Sequence, residues 1–118
     1  MTDIAIFLET LRTTPESLQF ADVMALIDAH YDHTPTAFTN GEAINQAAEN
    51  QGSAKVFSFA RIHGLSEDET LMCFAEHFRA VKNTPSGSDH QNIRQFMSHG
   101  WSGVQLPAGC LSPKQVLS

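Results

Sequence analysis

HYDHTPTAFTNG, residues 30–41, is where a helical pattern runs into a dense polar stretch restrained by proline. How that stretch folds decides whether the chain is helical throughout. Pro35 lacks an amide donor and disfavours helical geometry at Thr34, so a helix that delivers His30 and Asp32 stops there. Asn40-Gly41 is a turn signal, but its flanks do not alternate apolar and polar residues. The sequence therefore predicts an ordered polar turn and not a β-hairpin.

Upstream, Phe20, Val23, Met24, Ile27 and Tyr31 mark the buried face of the helix that enters this turn, with Pro15 in its first turn or just before it. Ile4, Phe7, Leu8 and Leu11 define an earlier amphipathic helix ending near Thr13. Downstream, GEAINQAAENQG (41–52) is Ala-rich with Gly52 placed as a C-cap, which predicts a brief helix. Ser53 caps the next helix, whose Val56, Phe57, Phe59, Ala60 and Ile62 make it apolar on more than one face and hence central. Ser66 and Glu69 form a capping box for a helix with the stripe Leu71, Phe74, Ala75, Phe78 and Val81. Residues 84–88 are a loop, Asp89 is the N-cap of a last helix that turns Ile93, Phe96 and Met97 inward, and Trp101 folds back past Gly100. Beyond Leu106 the periodicity fades. The expectation is an all-α fold: one compact helical domain over residues 1–106, of five or six helices, with a long ordered polar turn and a flexible C-terminal tail over 107–118. Its core holds Phe57, Phe74, Phe78, Phe96 and Trp101.

A chain of 118 residues buries enough surface for one core without disulfides or metal. Seven basic against thirteen acidic residues give a net charge of −6, which repels phosphate backbones and argues against nucleic acid. Cys73 and Cys110 show no CxxC spacing, which suits a reducing compartment, and Cys73 reads as a small buried hydrophobe. MTDIAIFLETLRT has no basic n-region and carries Asp3 and Glu9, so no secretory signal is read there. No run reaches the roughly 18 apolar residues of a membrane span. Together these predict a cytoplasmic protein, a monomer or weak dimer.

Candidate chemistry gathers at the 30–41 turn and at DHQNIR, residues 89–94. The lead expectation is a binding or interaction module in which these segments form a polar recess for a small ligand or a partner segment, with no cofactor. Its contacts are Asp32, Thr34, Thr36, Asn40, Lys55, Asp89, His90, Asn92 and Arg94. Lys55 and Arg94 either bind a carboxylate or phosphate, or pin the turn through ion pairs to Asp32, Glu42 or Asp89. The alternative is a hydrolase at the same recess. One form holds a divalent metal ion on Asp32, His90, His30 and His33, since carboxylate and imidazole are its usual ligands; no HExxH pattern supports it. The other pairs His90 with Asp32 or Asp89 for acid–base work on a hydroxyl such as Thr34, Thr36 or Ser53. A third reading makes the polar groups a hydrogen-bond network that locks the turn onto the helices. No motif fixes a reaction.

FADVMALIDAHYDHTPTAFTNG, NQGSAKVFSFARIHGLSEDETLMCF and SGSDHQNIRQFMSHGWSGV together give the chain, over about residues 15–105, a resemblance to the HopJ type III effector family of small bacterial proteins. The resemblance implies delivery into a host cell by a type III apparatus, and it brings no catalytic residues. Asp32, Thr34, Thr36, Asn40, Asp89, His90, Asn92 and Arg94 match the family pattern, whereas histidine is not required at 30 or 33. The amphipathic start of this chain differs from the Ser-rich leader of such effectors.

Overall fold

The computed structural model describes residues 3–114. Its order is α1 (Asp3–Thr13), a 3-10 turn (Pro15–Ser17), α2 (Phe20–His30), β1 (Tyr31–His33), β2 (Phe38–Asn40), β3 (Ala43–Asn45), α3 (Gln51–Ile62), α4 (Glu67–Met72), α5 (Glu76–Asn83), α6 (Gln91–His99), a 3-10 turn (Gly100–Gly103), β4 (Val104–Gln105) and β5 (Leu111–Pro113). The fold is α+β, which corrects the all-α expectation. Five short strands form two antiparallel sheets, one of β1 with β5 and one in the order β3-β2-β4.

The 30–41 segment causes that correction. Asn40 and Ala43 close a hairpin around Gly41 and Glu42, with Thr39 opposite Ile44 and Phe38 opposite Asn45. Gly41 has φ 58, the positive angle that a two-residue hairpin turn needs at its first central position. The apolar alternation is missing because two of the inward positions, Asn40 and Asn45, are buried carboxamides. They bond to Asn92, so a polar pattern hides a half-buried strand pair. The brief helix expected over 41–52 is therefore β3 followed by a turn, and Gly52 lies in the first turn of α3.

Tyr31 leaves the helical face it was assigned to and enters β1, opposite Pro113. Its partner strand lies in the segment expected to be a flexible tail. Over residues 107–114 that expectation is corrected: β5 pairs with β1, Cys110 and Leu111 are buried, and the Cys110 carbonyl accepts from the Thr34 amide at 2.9 Å. A strand of three residues pairing with one about 80 positions away leaves no periodic trace. Residues 115–118 of the expected tail lie outside the described residues.

Around these sheets the helices close the core. Phe57 is fully buried and meets Phe74, Phe96 and Trp101 at ring-centroid distances of 5.6, 5.1 and 6.2 Å. Phe78 is buried with them, as the apolar stripes predict, and Trp101 packs partly buried against the same cluster. The Ser66–Glu69 capping box forms as read, at 3.1 Å in one direction and 2.9 Å in the other. The helix it opens breaks after Met72, and Ala75 (φ 54, ψ −123) starts α5 in a conformation that L residues rarely adopt.

Candidate functional site

The first turns of α3 and α6 face one cleft of about 730 Å³. Both helices begin from a left-handed residue, Asn50 at φ 52 and His90 at φ 52, instead of the extended backbone from which a side chain usually caps. Neither cap makes a side-chain bond to its own helix. The Asn50 carboxamide donates to Asn45 Oδ1 at 2.7 Å, and the His90 ring lies against His77, centroids 5.0 Å apart. The early amides of α3 (Gln51, Gly52, Ser53) and of α6 (Gln91, Asn92) are thus left as donors at the positive ends of two helix dipoles. The two caps and Ala75 are the non-glycine residues with positive φ among the described residues, and all three sit at or next to the cleft. Backbone held in uncommon regions clusters at functional sites.

A row of rings forms another wall. Phe20 stacks with Phe74 at 6.2 Å and meets His77 edge-on at 4.8 Å, and His77 continues to His90. The Phe20 amide donates to Glu76 Oε1 at 2.6 Å, which fixes the start of α2 against α5. The remaining wall is β3, with Ala43, Ile44 and Asn45 lining the cleft and Glu42 at its mouth.

Beneath that wall lies a carboxamide network. Asn40 Nδ2 donates to the Asn92 carbonyl at 2.7 Å and lies 3.3 Å from its Oδ1. Asn45 and Asn92 exchange bonds of 3.2 and 3.0 Å. Asn40, fully buried, and Asn92 thus lock the hairpin onto α6.

The other sequence candidates are dispersed. Asp32 is exposed in β1 opposite Ser112, and Thr34 is held by Cys110. Thr36 and His33 both bond to Gln51 Oε1 at 3.0 Å, the imidazole through Nε2. Lys55 pairs with Asp28 at 2.8 Å, a partner the sequence did not suggest. Arg94 pairs with Asp89, one of the partners the ion-pair reading named, but it ties Asp89 to Thr84 and not the 30–41 turn to a helix; this contact holds the Asp89 carboxyl below its usual range. Asp89 is not the helix cap. His30 Nε2 lies 3.7 Å from the Asp3 carboxylate, beyond hydrogen-bond distance.

Neither hydrolase arrangement is assembled. Asp32, His30, His33 and His90 have separate neighbours, and among the described residues no group of three or more His, Cys, Asp or Glu side chains could hold a metal ion. The carboxylate nearest His90 is Asp89 at 3.9 Å, already committed to Arg94. Burial pushes the Cys73 thiol up to about 12, with the Glu69 charge adding to it, so this cysteine is no nucleophile at neutral pH. Of the expected contacts, His90 and Asn92 line the cleft, as does Ser53, which was named only as a hydroxyl for acid–base work; His77, Asn50 and Phe20 were missed.

The family profile described as HopJ type III effector protein matches residues 4–111. The chain belongs to the HopJ family. A crystal structure titled as that of the unknown function protein VPA0580 is similar at a TM-score of 0.91 and 43% identity, covering 96% of this chain and 95% of that one. No curated protein matches. The HopJ match runs through β1, the hairpin and β4 and ends at Leu111, the first residue of β5, so the three-stranded sheet lies wholly inside the matched region. Among the described residues no helix is long and apolar enough to cross a membrane.

Proposed function

We propose that this HopJ-family chain is a binding module, and that its cleft seats a ligand carrying an anionic group such as a carboxylate or phosphate. The observation that carries this reading is the convergence of two helix starts without capping side chains on one recess that also holds a pair of imidazoles. Amides at a helix N-terminus point their hydrogens at an anion, and the dipole favours negative charge there. His77 and His90 add donors, and positive charge when protonated. Gly52 in the first turn of α3 makes room for the Phe20 ring of the cleft wall, which an added Cβ would meet at 3.2 Å. The cation-based recess expected from the sequence is replaced, because Lys55 and Arg94 are already paired. The family description as a type III effector supports a ligand that belongs to a host cell.

Thermal melting with succinate or inorganic phosphate at matched ionic strength tests the reading. A ligand at ten times its Kd stabilises by about 1.4 kcal/mol, or roughly 5 °C for a domain of this size. Ser53→Asp supplies a fixed carboxylate to the first turn of α3. It is expected to raise the unliganded Tm slightly and to abolish the ligand-induced rise. Equal rises in the parent and in Ser53→Asp would overturn the proposal.

A further inference from the structure

The wall of the cleft made by β3 is an open sheet edge. Among the described residues, the order β3-β2-β4 pairs only one side of β3. A two-residue turn makes Asn40 and Ala43 the hydrogen-bonded pair that closes the hairpin, so the next pair, Thr39 and Ile44, points its amide and carbonyl groups outward. Thr39 uses that outward side to pair with Gln105 of β4. Ile44, at the same level on the other strand, has no partner for its outward N–H or C=O among the described residues. Its side chain is exposed, at 74%, on a molecule that buries most of its large aliphatic residues. On either side the edge is closed: the Glu42 amide donates to Gln95 Oε1 at 3.0 Å and the Gln46 amide to Glu49 Oε1 at 3.1 Å. Side chains thus cap the neighbouring edge amides and leave one open step, and that step lines the cleft.

We propose that this step receives an extended peptide segment of a partner protein as a fourth strand, antiparallel or parallel to β3, with an acidic side chain of the segment seated at the first turns of α3 and α6. Main-chain bonds to Ile44 supply sequence-independent attachment, and the adjacent pocket selects the side chain, which is how strand addition divides affinity and specificity. Donor complementarity chooses the occupant: among the described residues the cleft lining carries the Glu42 carboxylate and no Lys or Arg, so the anionic group of an extended segment is met by the free amides and imidazoles beside the edge and not by a full positive charge. This inference rests on the anion-seating reading above and names the class of ligand.

The test pans a random heptapeptide phage library on the intact chain and synthesises the enriched sequences. Peptides with a recurrent Asp or Glu are expected, whose affinity falls about tenfold on N-methylation of the one peptide amide that pairs with the Ile44 carbonyl. Ile44→Pro, which removes the outward donor on an edge strand and also fixes φ there, is expected to weaken them similarly. N-methylation leaves the protein unaltered, so the result stands even if that variant folds poorly. Enriched peptides without an acidic residue, or indifferent to N-methylation at every position, would overturn the inference, as would a library that yields no binder. Succinate and phosphate titrations run in parallel separate the two levels: small-anion binding without peptide pairing removes strand addition alone, whereas loss of small-anion binding removes the cleft reading itself.

Discussion

Truncating Asn92 to alanine probes the network that ties the hairpin to α6. The side chain accepts from Asn40 Nδ2 at 3.3 Å and from Asn45 Nδ2 at 3.2 Å, and it donates to Asn45 Oδ1 at 3.0 Å. Each partner keeps one other bond. Asn40 Nδ2 retains the Asn92 carbonyl, Asn45 Nδ2 retains the Phe38 carbonyl at 3.4 Å, and Asn45 Oδ1 retains Asn50. No partner is stranded entirely, so the loss is three ordinary bonds, two of them long, or about 2–3 kcal/mol. In urea unfolding that lowers the midpoint by roughly 1–2 M at an unchanged slope. The same measurement on Asn45→Ala and on the double variant closes a cycle, and residues in one network are expected to couple by about 1 kcal/mol or more. A loss below about 0.5 kcal/mol, or strict additivity, would refute the claim that these carboxamides hold the two elements together.

Gly100 has φ 63 and ψ −156, and an added Cβ would run into the Glu67 carboxylate that accepts from the Trp101 amide, so Gly100→Ala is expected to cost about 2 kcal/mol or more in chemical denaturation. Leu111→Ala is expected to cost about 2–3 kcal/mol, and hydrogen exchange should protect the Thr34 amide, because β5 is part of the fold. Burial lowers the pKa of His63 below its usual 6.5, and the ring is hydrogen-bonded through Nε2 to the Tyr31 hydroxyl at 2.9 Å. A depressed folded pKa means that this stability is present above about 6.5 and is lost as pH falls through the lower folded value. Tyr31→Phe with His63→Gln should therefore flatten the decline in Tm between neutral and mildly acidic pH. A second decline, below the usual 4.5 of a glutamate, follows from Glu69, whose pKa is lowered by the Ser66 amide and then by Arg12, and Glu69→Gln should remove it.

The helices were legible wherever burial follows a 3.6-residue period: the apolar sets of α1 and of α2 as far as Ile27, and the Ser66 capping box, stand in the structure where their residues put them, whereas Met97, expected inward, is 48% exposed. The strands were not. Asn40 and Asn45 occupy buried hairpin positions where an apolar residue would have announced a strand, and only Asn92, about 50 positions away, makes them tolerable there. β5 is short and finds its partner at long range. At the site, His90 and Asn92 were found because cap-type residues clustered before α6. Asp89 misled as the cap, since the left-handed backbone of His90 shifts the helix start by one residue and frees Asp89 for Arg94. His77 carried no signal at all: a continuous helix from Ser66 would have made it one more surface histidine, and only the break at Ala75 brings it to the cleft.

Amide chemical-shift mapping on ¹⁵N-labelled protein, titrated with succinate and separately with inorganic phosphate at constant ionic strength, tests the binding cleft most directly. The amides of Gly52, Ser53, Gln91 and Asn92 are predicted to shift together along one saturable curve, and to stop responding in Ser53→Asp. Shifts confined to the Thr34–Thr36 turn or to the Lys82 and Arg94 face, or no saturable shift at any of the four amides, would contradict it.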